Sequence, residues 1–177
     1  MTTCIALLRG LGFPNTMPMK DLARLLEKLG LRDVKTYIQS GNAVFQSPKP
    51  DPKLGEKITA AIEKAHGFAP RTLVLTLDEL AKVMKANPYR AAEKTPQFLH
   101  VTFLFEKPTK PDLATLEKWK KPNERFTLKG KAFYMHAPDG VGKSKLFARI
   151  EKSLGVAGTA RNWNTVAHLR QMADHLG

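Results

Sequence analysis

Residues 34–46, VKTYIQSGNAVFQ, hold the pattern that decides the fold. Apolar and polar residues alternate along the first half of this stretch, Ser-Gly-Asn at 40–42 has the composition of a tight turn, and an apolar run follows. A second stretch, residues 125–136 with the sequence RFTLKGKAFYMH, has the same organisation. Gly41 and Gly130 occupy matching places in the two turns. The chain therefore predicts two β-hairpins and an internal duplication.

Apolar strands and amphipathic helices surround the first hairpin. Residues 3–9 (TCIALLR) form an apolar run that is typical of a strand buried on both faces. A helix with apolar residues at helical spacing is predicted over residues 19–29. After the hairpin we predict a helix from Leu54, a strand over residues 71–76 and a short helix capped by Asp78.

The second half of the chain repeats this order. We predict a strand over residues 99–105, a helix opened by Asp112, the second hairpin and a helix that begins near Gly142. A final strand ends at Arg161, and Asn162 caps the last helix. Each half is thus βαββαβ followed by a helix, which is the ferredoxin-like order within an α+β fold.

The expected repeats cover about residues 1–90 and 96–177, a period too long for a solenoid. Because both opening strands are apolar on both faces, each half is expected to cover the open face of the other half's sheet. The sequence therefore predicts a single fused domain over residues 1–177, built from two intertwined halves. The alternative is a different arrangement of the same helices around one sheet.

Composition excludes several classes of protein. The 177 residues are 42% apolar and 25% charged, which excludes wholesale disorder, and no apolar run approaches the roughly 20 residues that span a bilayer. Cys4 is the only cysteine, so neither an intramolecular disulfide nor a cysteine-rich metal site is possible. The five histidines have no metal-ligand spacing. We expect a cytoplasmic protein without a membrane association or a metal.

The chain is strongly basic, with 29 Lys and Arg residues against 16 Asp and Glu residues and a net charge of +13. Such a field attracts anions, including nucleic acid and nucleotides. Lysines on solvated helix faces explain the same composition. The excess of positive charge is spread over both halves and forms no basic tail.

Residues 139–145 (DGVGKSK) form the first candidate site. If a helix opens there, its free N–H groups, the hydroxyl of Ser144 and the side chains of Lys143 and Lys145 could hold an anion. A nucleotide-binding P-loop is rejected, because Ala137 stands where that motif needs glycine. The alternative is a plain connection between a strand and a helix.

Residues 161–164 (RNWN) form the second candidate. Arg161, Asn162 and Asn164 could recognise a planar polar ligand by hydrogen bonds. The structural alternative is a helix cap at Asn162 with Trp163 packed in the core, and we predict that Trp163 is mainly structural. A third group of polar residues consists of Arg9, Gln39 and Asn42, which lie at the first loop and at the tip of the first hairpin.

These motifs, taken in order, suggest a family. ALLRG at 6–10, PM at 18–19, YIQSGN at 37–42, GKSKL at 142–146 and RNWNTV at 161–166 resemble the mainly bacterial family called domain of unknown function 1697. The resemblance covers nearly the whole chain. It implies an α+β fold of two intertwined ferredoxin-like halves and implies no activity. The first loop departs from the family, since LGFPN at 11–15 is shorter and lacks the Gly-Gly-Lys typical of that loop.

Three functions stay open. The favoured one is a non-catalytic module that binds an anionic ligand, either nucleic acid or a nucleotide or phosphate, through Lys143–Lys145 and Arg161. The second is a small-molecule enzyme whose cleft between the two halves is lined by Arg9, Gln39, Asn42 and Asn164. The third is an adaptor that binds an acidic protein. The sequence assigns no catalytic residue, cofactor or oligomeric state.

Overall fold

The computed structural model describes residues 1–177. In the first half the chain forms four strands and three helices, which are β1 (Thr2–Leu8), α1 (Met19–Lys28), β2 (Arg32–Tyr37), β3 (Asn42–Ser47), α2 (Leu54–His66), β4 (Thr72–Thr76) and α3 (Leu77–Lys85). The second half continues with β5 (Leu99–Leu104), α4 (Leu113–Trp119), β6 (Arg125–Lys129), β7 (Ala132–His136), α5 (Ile150–Leu154), β8 (Gly158–Asn162) and α6 (Trp163–Leu176). Three short 3₁₀ segments complete it, at Arg90–Lys94, Pro96–Phe98 and Phe147–Arg149. The fold is therefore α+β, as predicted.

The strands form two antiparallel four-stranded sheets with corresponding orders. Sheet A has the order β2-β3-β1-β4, and sheet B has the order β6-β7-β5-β8. Both hairpins form as predicted, and their turns use glycine with positive φ, +86° at Gly41 and +57° at Gly130. Each sheet thus begins with a central strand, and its hairpin adds on one side of that strand.

By contact, the chain divides into two compact units. Unit 1 comprises residues 1–84 and 167–177, and unit 2 comprises residues 85–166. The C-terminal residues therefore belong with the first sheet, which the sequence did not predict. The single fused domain stays a prediction.

In unit 1, alternate residues of sheet A face opposite sides, as the period of a strand requires. Ala6, Leu8 and Phe45 pack with Leu22 of α1 and Ile58 of α2. On the opposite face Ile5, Leu7 and Val44 are also fully buried. This face includes Tyr37, whose ring stacks on His168 of α6 at a centroid distance of 4.0 Å, and Gln46, whose Nε2 donates to the carbonyl of Leu176 at 2.7 Å. The end of α6 is therefore fixed to sheet A.

In unit 2, sheet B has a corresponding division. Leu104, Phe133 and Met135 pack with Leu116 of α4 and Ile150 of α5. The other face carries Val101, Phe103 and Tyr134, which are buried as well, together with the alternate residues of β6 and β7.

Two local predictions are wrong. No helix opens at Gly142. The first helical turn comes after Ser144, whose hydroxyl accepts the N–H of Phe147 at 3.1 Å as an N-cap does, and the chain passes through a 3₁₀ turn before α5 starts at Ile150. The cap of α3 is Thr76 and not Asp78. Thr76 Oγ1 accepts the N–H of Glu79, whose carboxylate accepts the N–H of Thr76, a reciprocal capping box.

The other predicted caps are confirmed. Asp112 accepts the N–H of Thr115 at 3.0 Å, and Asn162 accepts the N–H of Thr165 at 3.0 Å. None of the helices combines the length and the apolar character that crossing a membrane requires.

Candidate functional site: a basic cleft in unit 2

A cleft of about 610 Å³ opens in unit 2. It is lined by the 3₁₀ segment Arg90–Lys94, by the start of β6 and by the end of β7. The basic residues that line it are Arg90, Arg125 and His136. Its small apolar lining consists of Pro88, Ala91, Ala92, Pro122 and Pro138. Tyr89, Thr95 and Asn123 supply neutral polar groups. The volume lies within the range of roughly 300–1,000 Å³ that is usual for small-molecule sites.

Hydrogen bonds hold the wall formed by residues 87–93. The buried side chain of Asn87 accepts the N–H of Tyr89 at 3.0 Å and donates to Glu93 at 2.8 Å. The hydroxyl of Tyr89 lies 2.7 Å from Thr127 Oγ1 on β6. The side chain of Tyr89 therefore attaches this wall to sheet B.

The opposite wall is held by a bond between the two loops that end the hairpin. Asn123 Nδ2 donates to Asp139 Oδ2 at 3.0 Å. Pro122 and Pro138 flank this pair in the sequence, and their fixed φ limits how far the wall can rearrange. The bond between Asn123 and Asp139 thus joins the two ends of the hairpin beside the cleft.

The basic groups differ in how they are held. Arg90 donates from Nη2 to the carbonyl of Lys85, and its Nη1 lies 4.0 Å from Glu93. Arg125 is exposed and lies opposite His136 in the β6–β7 register. Both arginines keep solvent-accessible guanidinium groups at the cleft.

Burial, and secondarily the charge of Arg125, lower the pKa of His136 below its usual value of 6.5. Burial raises the pKa of Tyr89, against the opposing effects of its bond to Thr127 and of the charge of Arg125. At neutral pH the cleft therefore holds two guanidinium cations, a neutral imidazole and a neutral phenol. This set can bind an anion through charge-assisted hydrogen bonds.

The surrounding unit is the more basic of the two. Residues 85–166 carry 16 Lys and Arg residues and seven Asp and Glu residues, a net charge of +9, whereas unit 1 has 13 and nine, a net charge of +4. The field of unit 2 would raise the local concentration of anions at the cleft.

The first sequence-predicted site lies elsewhere in unit 2 and lacks its expected geometry. Ser144 is buried, and its hydroxyl caps Phe147. Lys145 Nζ lies 5.5 Å from the ring centroid of Trp119, and the guanidinium of Arg149 lies over the same ring at 3.9 Å. Lys143 is exposed. Two of the three residues thus have structural contacts, and no helix begins at Gly142 to form the expected cradle.

The second predicted group is mostly structural in its contacts. Arg161 is buried and donates from Nη1 to Thr159 Oγ1 at 2.6 Å and to the carbonyl of Ala160 at 2.9 Å. Burial lowers the pKa of Arg161 to about 10, so it is still charged at neutral pH. Asn162 caps α6, Trp163 is buried as predicted, and Asn164 is exposed.

The third group lies in unit 1, where the structure brings Arg9 and Asn42 together at the end of strand β1 and the start of strand β3. The N–H of Leu8 donates to the carbonyl of Gly41 at 2.9 Å, which places Arg9 beside the turn that contains Asn42. Asn42 is fully buried, and its Nδ2 donates to the Tyr37 carbonyl and to Ser40 Oγ. Gln39 is exposed. The side chain of Asn42 therefore stabilises the turn, because its amide nitrogen donates both of these hydrogen bonds within it.

Sequence reasoning missed the three basic residues of the cleft. Arg90 lies at the end of the first expected repeat, where no sequence pattern marks it. The hairpin register gave one usable signal, since a turn centred on Gly130 places Arg125 opposite His136.

The fold and the cleft define an α+β protein with two similarly ordered antiparallel sheets and a basic pocket. Residues 1–134 match the family described as protein of unknown function, DUF1697, and the chain belongs to this family. Its fold is similar to that of conserved bacterial protein SP0830 from Streptococcus pneumoniae, with a TM-score of 0.76 and 23% identity over 98% of this chain and 99% of that chain. Comparison with curated proteins gives no significant match.

Proposed function

We propose that this chain is a non-catalytic module that binds a small anionic molecule, such as a phosphate-bearing metabolite or nucleotide, in the cleft of unit 2. The observation that supports this proposal is that Arg90, Arg125 and His136 all line one cleft of about 610 Å³. Guanidinium groups are protonated at all physiological pH values, which suits them to binding and not to proton transfer.

The size of the cleft favours a small molecule over a nucleic acid. A nucleic acid is usually held by an extended basic surface with many phosphate contacts, whereas this cavity is walled by two loops and by prolines. The net charge of +9 on unit 2 favours anions of either kind, so the test must separate them.

The order and antiparallel pairing of both sheets support a finer description of the fold. Each half is a ferredoxin-like βαββαβ unit, and the two arose by duplication and form one fused domain. A cytoplasmic location is also proposed, because the lone Cys4 is buried with a free thiol.

Isothermal titration calorimetry with phenyl phosphate, a small oxyanion with an apolar ring, tests the proposed site. Arg125→Ala should weaken binding about 10- to 100-fold, the loss expected for one charge-assisted contact. Arg32→Ala is the matched control, because Arg32 is also an exposed arginine on a hairpin strand but belongs to sheet A. Its dissociation constant should stay within about twofold of wild type.

A second comparison separates the cleft from the site first predicted. Lys143→Ala/Lys145→Ala should leave phenyl phosphate binding unchanged. If the lysine variant loses binding and Arg125→Ala keeps it, the cleft is wrong. Binding of a labelled single strand that phenyl phosphate cannot displace, with a steep loss of affinity in salt, would favour the nucleic-acid function instead.

A further inference from the structure

His136 and Arg125 face each other across the β6–β7 hairpin, and both side chains line the cleft. Directly opposed residues of an antiparallel pair have Cβ atoms roughly 4.5–5.5 Å apart. An oxyanion seated between these two side chains would therefore contact both. Arg90 adds a second guanidinium from the facing wall.

Four elements lie around His136, and three of them contribute charged or titratable groups. β6 contributes Arg125, the 3₁₀ wall contributes Tyr89 and Arg90, and the loop after β7 contributes Asp139, which accepts the bond from Asn123. On β5 the register partner of His136 is Leu99, which carries no charge. Among these, the charge of Arg125 is the one that opposes a proton on His136.

Resting on the proposed function, we infer that the cleft binds its anion together with one proton, taken up by the imidazole of His136, and that the ligand is a phosphate or sulfate ester with an apolar substituent. The proton comes from the buffer acid, and the neutral imidazole becomes an imidazolium that donates to the bound oxyanion. No other bond forms or breaks. Pro88, Ala91 and Pro138 offer the apolar surface for the substituent.

The physical reason is electrostatic. In the free protein, burial and, secondarily, the charge of Arg125 disfavour the imidazolium, and these are the two causes that lower the pKa of His136. An anion between the two side chains offsets the repulsion from Arg125 and stabilises the positive charge of the imidazolium. It therefore raises the pKa of His136. The complex then holds more protons than the free protein, and by linkage the affinity increases as the pH falls.

The test is calorimetry with phenyl sulfate, whose ester group does not titrate between pH 5 and 8, so that any proton taken up must bind the protein. Titrations near pH 6.5 in two buffers of different ionisation enthalpy, neither of them an oxyanion, give the number of protons bound. A net uptake is expected, with binding roughly three- to tenfold tighter near pH 5.5 than near pH 7.5.

His136→Gln should bind phenyl sulfate without proton uptake and without the pH dependence, since glutamine keeps a donor but does not titrate. His175→Gln is the matched control, because His175 is an exposed histidine of unit 1 bonded to the carbonyl of Gln171. It should retain the uptake of the wild type.

Each remaining outcome overturns one of the two proposals. Binding that depends on Arg125 but takes up no proton, or uptake that persists in His136→Gln, overturns this inference and leaves the proposed function standing. No saturable binding of either phenyl sulfate or phenyl phosphate overturns the proposed function, and the inference with it.

Discussion

Gly41 and Gly130 both have positive φ in a hairpin turn, but the turns and their surroundings differ. Four residues lie between the paired Tyr37 and Asn42, whereas two lie between Lys129 and Ala132. A Cβ on Gly41 would lie 2.5 Å from Leu11 Cδ1 and 2.9 Å from Leu8 Cβ, whereas a Cβ on Gly130 would meet nothing within 4 Å. Gly130→Ala should therefore lower the free energy of unfolding by about 1–2 kcal/mol, the cost of left-handed backbone. Gly41→Ala should lower the free energy of unfolding by roughly 1–3 kcal/mol more than Gly130→Ala does, because the new methyl group would overpack against Leu11 and Leu8.

Chemical denaturation of the two alanine variants measures this difference. Equal losses of stability at the two positions would show that Leu11 moves aside at no cost and that the close packing of the first loop on the turn is unimportant.

His100 is a second residue whose surroundings have a measurable consequence. Its Nδ1 is buried without a hydrogen-bond partner, and its ring lies 5.8 Å from that of Phe147. Burial lowers the pKa of His100, and a bond to the Phe98 backbone opposes this only in part. The unfolded chain therefore takes up a proton at higher pH than the folded one.

Stability should consequently be lost as the pH falls below about 6.5, the usual pKa of histidine. Urea unfolding of His100→Gln between pH 7 and 5 should show a shallower loss than wild type, with His175→Gln following the wild type. His136 contributes a loss of the same sign, because its pKa is also lowered. A His100→Gln profile parallel to that of wild type would contradict this account of His100.

At the scale of elements, α6 belongs to a different unit at each end. It begins with Trp163, in unit 2, and its residues from Ala167 onward belong to unit 1. There Leu169 and Ala173 are buried, and His168 and Leu176 contact Tyr37 and Gln46 of sheet A. The second face of sheet A thus depends on a segment more than 80 residues away in sequence.

Residues 1–90 expressed alone should therefore fail to unfold cooperatively, because the apolar face of Ile5, Leu7 and Val44 loses this cover. Joining residues 167–177 to this fragment through a flexible linker should increase its helix content and its resistance to urea, as measured by circular dichroism. A monomeric 1–90 fragment with a cooperative transition would contradict both this dependence and the single fused domain.

The elements with a strong hydrophobic period could be predicted from the sequence, and the others could not. Both hairpins, the strand of residues 3–9 and the helix from Leu54 follow from alternation, apolar runs and helical spacing. The helix expected near Gly142 begins later in the chain, since its first turn follows the N-cap-type bond from the N–H of Phe147 to the Ser144 hydroxyl, and a 3₁₀ turn precedes α5. Composition does not reveal such a bond.

At the scale of the whole molecule, the candidate site depends on packing that no local pattern records. Arg90 reaches the cleft because Asn87 and Tyr89 fix its segment to Glu93 and to Thr127, and neither bond has a sequence signature. The net positive charge is visible in the composition and favours an anionic ligand, but charge alone gives no location for its site. The lysines that looked most like a site lie beside Trp119 or in solvent.

The measurement that tests the central claim most directly is a titration of the ¹⁵N-labelled protein with phenyl phosphate, followed by two-dimensional NMR. The account predicts saturable shifts of the amides of Arg90, Arg125 and His136 and of their neighbours in the two cleft walls, all with one dissociation constant. Saturable shifts confined to residues 143–145, or to Arg9 and the turn at 38–42, would contradict it, as would the absence of any saturable shift.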